Sequence, residues 1–354
     1  MKKYMQYIVL MIIVIILLTE VNCKKNPVIP PEEKPDTTSH EFRWEIDTIG
    51  EFQSTLYDVW GSEDDMYAVG LIYWPNRELP INIIHWDGEK WSPINYLEGS
   101  LINIYGFSDK DIWVCGSWQV DYDAYALISH WDGFFWKTWK FQEYNQLLSI
   151  WGTSSSNIYV CGWAGTILHY NGNTWEKLES NTTFNLRGIW GIDNSNIFIS
   201  GNLTSTGEGI LLKYDGISWR AIAHGGNQTD STLYGEFRGV WCDKIEKIIH
   251  VGSLAYEGTE GNWTLSDIPY NRPIDNIIGL SAMQAIHGSK GNNVFVCGAY
   301  NLIIHWNGNS WNIYNQFFDK SKSSILFGLW TNEKSVFIVG GNENARAIIY
   351  RGYQ

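Results

Sequence analysis

The segment from Val160 to Trp175, VCGWAGTILHYNGNTW, places a thiol, an imidazole, a phenol and two indoles within sixteen residues. Cysteine and histidine are the residue types that serve as nucleophile and base, or that bind zinc. Both types recur along the chain, at Cys115, Cys161, Cys242 and Cys297 and at His85, His130, His169 and His305. These residues could act as reactive thiols or bind a metal. Alternatively, they could recur for a structural reason.

The recurrence follows from an internal repeat. Seven segments share an apolar run, a polar turn and a second apolar run that ends in glycine: LYDVWGSEDDMYAVG, LINIYGFSDKDIWVCG, LLSIWGTSSSNIYVCG, LRGIWGIDNSNIFISG, FRGVWCDKIEKIIHVG, MQAIHGSKGNNVFVCG and LFGLWTNEKSVFIVG. The closing glycines lie 39 to 51 residues apart, at Gly70, Gly116, Gly162, Gly201, Gly252, Gly298 and Gly340. A period of this length indicates a solenoid or a propeller.

Most copies continue into a second hairpin. Its signature is Asp-Gly or Asn-Gly between apolar runs, as in IIHWDGEKW, LISHWDGFFW, TILHYNGNTW, LLKYDGISW and LIIHWNGNSW. This dipeptide favours a two-residue turn in which both central residues have positive φ. One repeat is therefore predicted to form four antiparallel strands, A to D.

These patterns predict an all-β fold, a seven-bladed β-propeller with four-stranded antiparallel blades, over residues 41–354. The seventh copy ends at AIIYRGYQ without an outermost strand, whereas residues 42–49 (FRWEIDTI) precede the first copy. In that segment Trp44 takes the position that Trp91 has in its own copy. We therefore predict that residues 42–49 complete the last blade and close the ring.

The repeat argues against shared chemistry at the cysteines and histidines. Equivalent positions in neighbouring blades lie ~10 Å apart, which is too far for a disulfide or a common zinc ion. Cys115, Cys161 and Cys297 directly precede the closing glycine of strand B, where other copies have valine or serine, as expected of a small buried site. Cys242 lies outside this repeat position. We predict packing roles for these residues and for the repeated tryptophans, with reactive thiols and a shared metal as the alternatives.

The acidic turns SEDD and SDKD are interpreted as solvated, with calcium binding as the alternative. No cofactor motif occurs, so we expect neither a cofactor nor a metal.

Composition excludes some partners. The formal net charge is −13, and the 25 lysines and arginines form no cluster. Nucleic-acid binding needs a basic surface, so we expect no nucleic-acid partner, and an anionic membrane surface would repel the chain.

The N-terminus has the pattern of an export signal. Lys2 and Lys3 precede the apolar run Tyr7 to Leu18, which is too short to span a bilayer comfortably. We interpret residues 1–22 as a signal peptide, Cys23 as a lipidation site and residues 23–40 as a proline-rich tether. The protein is therefore expected to be exported to the bacterial cell envelope and anchored to a membrane through the lipid. An uncleaved anchor and cleavage at a nearby site remain alternatives.

The repeats resemble those of uncharacterised exported bacterial β-propeller lipoproteins with the pattern WG…VG…ILHYDG…W. The resemblance covers about Phe42 to Gln354 and implies the propeller fold. A partial likeness to the Asp-box repeat of sialidases and the tectonin repeat of lectins is also present. Asp87-Gly88 and Asp132-Gly133 are adjacent, however, whereas an Asp box separates its Asp and Gly by one residue.

Propellers usually bind ligands on the face formed by the D to A and B to C loops, here called the loop face. Aromatic residues, arginines and one glutamine that vary between copies fall there. The predicted ligand-binding residues are Tyr57, Trp74, Trp118, Trp163, Arg187, Arg238, Tyr256, Gln284 and Tyr300. Aromatic and guanidinium groups on a concave surface suit a glycan or a protein or peptide ligand. The alternative is that these aromatic rings pack against neighbouring loops.

Two functions follow, and we favour the first. One is a binding module, expected to be a monomer, that recognises a glycan or protein without catalysis, so that no catalytic residue is assigned. The other is a polysaccharide-active enzyme, a lyase, hydrolase or glycosyl transferase, with its site at the channel mouth. Such an enzyme would draw on the polar loop residues Asp123, His224, Asp230 and Glu236.

Overall fold

A computed structural model describes residues 36–354 except 63, 97, 122, 227–232, 246 and 270–282. The predicted signal peptide, Cys23 and most of the tether lie outside the described residues. The chain divides into Met1–Asp36 and Thr37–Gln354, and every strand among the described residues belongs to the second unit. Within the described ranges, the one helical element is the 3-10 turn Trp163–Gly165, and no helix is long and apolar enough to cross a membrane.

The strands are numbered in chain order. The first is β1 (Arg43–Ile49). Blades 1 to 3 contain β2 (Thr55–Ser62), β3 (Asp65–Ile72), β4 (Ile81–Trp86) and β5 (Trp91–Ile94); β6 (Ser100–Ser108), β7 (Asp111–Val120), β8 (Asp123–Trp131) and β9 (Trp136–Asn145); and β10 (Leu147–Ser154), β11 (Asn157–Gly162), β12 (Ile167–Tyr170) and β13 (Trp175–Leu178).

Blades 4 to 7 complete the set. They contain β14 (Asn185–Asp193), β15 (Asn196–Leu203), β16 (Glu208–Tyr214), β17 (Trp219–Gly226) and β18 (Leu233–Tyr234); β19 (Phe237–Lys244), β20 (Lys247–Gly252), β21 (Tyr256–Thr259) and β22 (Asn262–Leu265); β23 (Met283–Lys290), β24 (Asn293–Gly298), β25 (Ile303–Trp306) and β26 (Trp311–Ile313); and β27 (Ile325–Thr331), β28 (Ser335–Gly341) and β29 (Ala347–Tyr353).

Seven sheets form the propeller, as the repeat predicts. Each is an antiparallel meander of strands A to D, and blade 4 adds the short parallel strand β18. The last blade has the order β1-β29-β28-β27, in which β1 pairs with β29 from Arg43↔Tyr353 to Ile49↔Ala347. The prediction that residues 42–49 complete this blade is confirmed. Innermost strands β2 and β27 contact each other, so the ring is closed.

The core lies between the blades rather than at one centre. Seven clusters of buried apolar residues occur among the described residues, and each joins two neighbouring blades. The Trp-Gly motif contributes to this contact. A Cβ atom on Gly106 would lie 2.7 Å from the ring of Trp60 in the preceding blade, and Gly191 stands in the same relation to Trp151. The glycine thus makes room for the neighbouring blade's indole.

The glycine that closes strand B is required for a different reason. In all seven blades a β-bulge shifts the register of strand A directly after the residue that faces this glycine, as in Leu101↔Gly116 followed by Asn103↔Cys115. A bulge brings an extra residue into strand A and bends the strand. The bent backbone comes so near that a Cβ atom on Gly116 would lie 2.0 Å from the carbonyl oxygen of Ser100.

Gly116→Ala is therefore expected to lower the free energy of unfolding by about 3 kcal/mol, because the obstructing atom is backbone and cannot rotate away. Gly261→Ala is the matched control. Its added methyl group meets nothing within 4 Å, and only the left-handed backbone (φ +75°) opposes it, at a cost of about 1 kcal/mol. Urea unfolding of both variants checks this prediction. Equal losses at the two sites would contradict it.

The repeated histidines have structural partners within their own sheets. His130 contacts Asp111 at 2.8 Å, and His169 contacts Asn157 at 2.7 Å. Each histidine also stacks on an aromatic residue of strand B, for example Trp113 beneath His130 at a centroid distance of 4.0 Å. His85 and His305 repeat both contacts. These imidazoles therefore tie strand C to the start of strand B.

The described cysteines are free and buried, at Cys115, Cys161, Cys242 and Cys297. Burial raises the pKa of the Cys242 thiol to about 12 and raises that of Cys161 still further. A thiol with a raised pKa is a poor nucleophile at neutral pH. Packing therefore accounts for Cys161, at the repeat position before the closing glycine of strand B, and for Cys242, which lies on strand A of blade 5.

Candidate functional site

The seven bulges place one side chain from each blade around the mouth of the central channel on the loop face. All seven are half-buried. They are Tyr57, Ile102, Leu148, Arg187, Arg238, Gln284 and Phe327. The channel that they surround has a volume of about 550 Å³. Because the bulged residue departs from the regular alternation of the strand, its side chain can be directed toward the axis.

The mouth has an apolar side and a cationic side. Phe327, Tyr57, Ile102 and Leu148 belong to blades 7, 1, 2 and 3, with the rings of Tyr57 and Phe327 edge to face at 5.8 Å. Arg187, Arg238 and Gln284 belong to blades 4, 5 and 6. This arrangement can receive a ligand that carries an apolar group next to a negative charge.

Two arginines from neighbouring blades concentrate positive charge on the cationic side. Arg238 forms an ion pair with Glu236 at 2.9 Å and donates to Gln284 Oε1 at 3.3 Å. Arg187 donates to the neutral amide of Asn202 and has no ion pair among the described residues. Among the described residues of this side, two guanidinium groups and one carboxylate give a local charge of +1, in a chain with a net charge of −13.

The pKa of Arg187 reflects this crowding. Burial and, to a smaller extent, the positive charge of Arg238 together lower it to about 10, although Glu236 acts in the opposite direction. In addition, Nε of Arg238 is buried without a hydrogen-bond partner among the described atoms. An anion bound between the two guanidinium groups would relieve the repulsion between them and could accept charge-assisted hydrogen bonds.

Trp163 completes the mouth from the loop after strand B of blade 3. It begins the 3-10 turn Trp163–Gly165, in which Ala164 takes a left-handed conformation (φ 52°). The turn is held by Trp163 N, which donates to Gln146 O, and by Gly165 N, which donates to Phe184 O. The indole itself is 45% exposed. Trp163 is thus a fixed aromatic surface at the edge of the channel.

Deeper in the channel, a line of polar side chains joins blades 1 to 4. Asn103 Nδ2 donates to Asp58 Oδ2 at 2.5 Å, and Ser149 Oγ donates to Asn103 Oδ1 at 3.4 Å. Ser149 Oγ also accepts from the backbone of Ile189 at 3.3 Å. The corresponding residues of blades 4 to 7 are small, at Gly188, Gly239, Ala285 and Gly328. The channel wall is therefore polar along blades 1 to 3, and along blades 4 to 7 the small residues leave more space.

Asp58 is the one carboxyl group among the described lining residues. Desolvation raises its pKa to about 7, against the smaller opposing effect of hydrogen bonds from the backbone of Ile104 and Val59. The folded protein therefore keeps this proton up to about pH 7, whereas an unfolded chain releases it near pH 4. This group's contribution to stability is fully present below pH 4 and is lost as the pH rises to 7.

We expect Asp58→Asn to gain stability relative to the parent protein as the pH rises from 5 to 7, by at most about 1.4 kcal/mol per pH unit, with no further change above pH 7. Asp87→Asn is the control, because hairpin backbone hydrogen bonds lower the pKa of Asp87 and its effect falls below this range. Chemical unfolding at pH 5, 6, 7 and 8 measures the difference. Parallel stability curves for the parent and Asp58→Asn would refute the assignment.

Four predicted ligand-binding residues do not line the channel. Trp74 packs against the core between blades 7 and 1, and Trp118 packs between blades 1 and 2 with Lys140 Nζ 5.3 Å from its ring. Tyr256 is buried and accepts a hydrogen bond from Tyr234 N. Tyr300 lies against the ring of Phe318. The structure brings Tyr57, Trp163, Arg187, Arg238 and Gln284 together at the mouth.

Several channel residues were not among those predicted from the sequence. Ile102, Leu148 and Phe327 have the same position after the first apolar residue of strand A as Tyr57 and Arg187, so the repeat alignment could have found them. Asp58, Asn103 and Ser149 follow one residue later in their copies. This repeat position holds Asp, Asn or Ser in blades 1 to 3 and Gly or Ala in blades 4 to 7. That difference could have indicated a polar group in the channel.

The polar residues considered for catalysis are largely engaged elsewhere. Glu236 is paired with Arg238, and Asp123 accepts from Tyr125 Oη at 3.4 Å in an exposed hairpin. His224 lies on β17 and is exposed. Asp230 lies outside the described residues. None of Asp123, His224 and Glu236 is a lining residue of the channel.

Solved propellers share this fold. YCF48 bound to D1 peptide is similar with a TM-score of 0.61 at 12% identity, over 91% of this chain and 100% of that one. YCF48 from Cyanidioschyzon merolae is similar with a TM-score of 0.56 at 12% identity, over 88% of this chain and 98% of that one. The WD40 β-propeller domain of Doa1 has a TM-score of 0.58 at 11% identity, over 89% of this chain and 98% of that one.

No protein-family model and no curated protein matches the chain. At 11% to 12% identity, the likeness to the solved structures concerns the fold alone. The chain is a seven-bladed, all-β propeller.

Proposed function

We propose that this protein is an exported, lipid-anchored binding module that captures a peptide or protein segment at the channel mouth on its loop face. The observation that carries the proposal is the pair Arg187 and Arg238, which presents two guanidinium groups beside the apolar side of the mouth. Guanidinium groups bind carboxylates through paired, charge-assisted hydrogen bonds. The ligand group is therefore a carboxylate, from a chain terminus or from an acidic side chain.

An apolar neighbour of that carboxylate would contact Phe327 and Tyr57 across the mouth, with Trp163 at the rim. This combination favours a peptide, whose side chain and carboxylate can be joined through one residue. The bound peptide in the complex of YCF48, a propeller of similar fold, supports the same class of ligand. Glycan recognition remains the competing outcome, because the exposed indole of Trp163 would also stack on a sugar ring.

The experiment presents the full chain with a random hexapeptide library, once with free carboxyl termini and once amidated, and with a glycan array. We expect peptides with an apolar residue next to a carboxylate, and loss of those peptides from an Arg187→Gln, Arg238→Gln double variant. Retention of glycans alone, or peptide capture that the double variant leaves unchanged, would overturn the proposal.

A further inference from the structure

The opposite end of the ring carries the A to B and C to D turns and is here called the hairpin face. Its turns expose large apolar side chains at two hairpin tips. Ile217 is 90% exposed, Phe134 83% and Phe135 67%. The hairpins do not require apolar residues there, because the equivalents of Phe134 are Glu89, Asn173 and Asn309.

Each of the turns that bear these side chains is stabilised by hydrogen bonds from backbone N–H groups to one aspartate carboxylate. The N–H groups of Phe134 and Phe135 both donate to Asp132 Oδ1, at 2.9 and 3.0 Å, and those of Ile217 and Ser218 both donate to Asp215 Oδ1 at 2.9 Å. The turn geometry is thus complete without the apolar groups. Their exposure calls for a partner outside this unit.

Further apolar side chains lie on the same face. Phe107, Ile192 and Ile245 are each more than a third exposed where strand A meets its turn to strand B. Together with Phe134, Phe135 and Ile217, they place exposed apolar groups on blades 2, 4 and 5.

The propeller's chain also begins at the hairpin face. Thr38 N donates to Asn307 O at 2.9 Å, and Thr38 Oγ1 donates to Asn292 O at 2.7 Å. His40 Nε2 contacts Ser310 Oγ at 3.2 Å. Asn307 and Ser310 form the C to D turn of blade 6, and Asn292 belongs to its A to B turn. The first described residues are therefore fixed to the same end of the ring as the apolar tips.

The sequence upstream limits how far this face can lie from an anchor. Thirteen residues separate Cys23 from Thr37, and several are proline. Even a fully extended proline-rich segment of that length reaches only ~40 Å. A lipid on Cys23, or an uncleaved apolar run from Tyr7 to Leu18, would hold the hairpin face close to a bilayer.

We infer that the hairpin face rests on a zwitterionic phospholipid surface, with Phe134, Phe135 and Ile217 inserted at the level of the headgroups. Aromatic and aliphatic side chains at loop tips gain free energy by leaving water at such an interface. The hairpins also carry Asp87, Asp132 and Asp215, so an anionic surface would repel this face. The loop face, with its arginine pair, then points away from the membrane and stays open to ligands.

The test uses the full chain reconstituted in phosphatidylcholine vesicles that contain headgroup-spin-labelled lipid. Fluorescent probes are attached to Phe135→Cys and Ile217→Cys on the hairpin face. Matched probes are attached to Phe52→Cys and Leu79→Cys on the loop face, where the native side chains are 67% and 70% exposed. The native thiols in the propeller are buried, and the parent chain, labelled in parallel, gives the background from Cys23.

We expect quenching at least fivefold stronger at positions 135 and 217 than at positions 52 and 79, and weaker quenching at 135 and 217 when phosphatidylglycerol replaces half of the phosphatidylcholine. Equal quenching at all four positions, quenching at none, or stronger quenching at 52 and 79 would overturn the inference. Circular dichroism and thermal unfolding of each labelled variant confirm that the propeller is intact.

Discussion

Deletion of residues 41–50 should abolish the cooperative unfolding transition of the propeller. The deletion removes β1, whose seven residues pair in register with β29. It removes Trp44, which packs edge to face on Tyr314 and Phe317 at 4.9 and 5.3 Å. It also removes Asp47, the partner of Arg351 at 2.7 Å. Arg351 would then lose both of its carboxylate partners, Glu45 and Asp47, in a site where its side chain is only 8% exposed.

The combined loss is expected to match or exceed the whole stability of a typical domain, about 5 to 15 kcal/mol. Breaking a buried ion pair by removing one partner alone costs about 3 to 5 kcal/mol. Differential scanning calorimetry and size-exclusion chromatography measure the outcome, and the newly exposed edge of β29 is expected to promote aggregation.

A deletion of equal length in the proline-rich segment, residues 24–33, is the control and should leave the transition temperature unchanged, because it lies before the unit that begins at Thr37. A synthetic peptide of residues 37–50 added to the deleted protein should restore part of the transition. A deleted protein that unfolds at the parent temperature would show that β1 does not close the ring.

Charge reversal at the channel mouth should give the largest effect on binding. For a carboxylate-bearing peptide from the library, we expect Arg187→Glu and Arg238→Glu each to weaken affinity by a factor of about 100. Each change removes charge-assisted hydrogen bonds, which are worth about 1.5 to 3 kcal/mol apiece, and adds like-charge repulsion. Isothermal titration calorimetry of the full chain measures the dissociation constants.

Arg220→Glu serves as the matched control for this prediction. Arg220 is an exposed arginine of the outer strand β17, where it pairs with Glu260, and it does not line the channel. Its reversal changes the net charge equally and should alter affinity less than threefold. An equal loss in all three variants would mean that net charge, rather than the mouth, determines binding.

The repeat made the fold predictable in detail. Seven copies with Gly70 and its equivalents at fixed positions specified the strand order, and the missing outer strand of the seventh copy specified the role of residues 42–49. Repetition also separated structure from chemistry, since equivalent residues on strands B and C of neighbouring blades lie ~10 Å apart and cannot meet at one point. Cys161 and His169 were assigned to packing on this ground, and their buried or hydrogen-bonded positions agree.

The site was less predictable because a repeat gives a position along a strand but not the direction in which a loop folds. Trp74, Trp118, Tyr256 and Tyr300 are all close to the start of B to C loops, yet their rings lie against the blades or neighbouring loops. Trp163 differs because it precedes the left-handed residue Ala164 in its turn, whereas in blade 6 the left-handed residue is Tyr300 itself (φ 62°). Local backbone geometry of this kind has no simple signature in one sequence.

The bulges explain why the strand A residues were better candidates. Arg187, Arg238 and Tyr57 take the extra position in their strands, and that position faces the axis in every blade. The sequence identified four of the seven members of this ring, the polar ones and one tyrosine, because chemical type drew attention to them. Their common orientation depends on a register shift that becomes visible only when strand A is paired with strand B.

A double-mutant cycle across the interface tests whether Arg187 and Arg238 recognise a carboxylate of the ligand. The tightest peptide from the library is titrated, as the free acid and as the form in which its carboxylate is converted to an amide, into the parent protein and the Arg187→Gln, Arg238→Gln variant. We expect amidation to weaken binding at least tenfold in the parent protein and less than twofold in the variant. An equal loss in both proteins would contradict recognition of a carboxylate by the arginine pair.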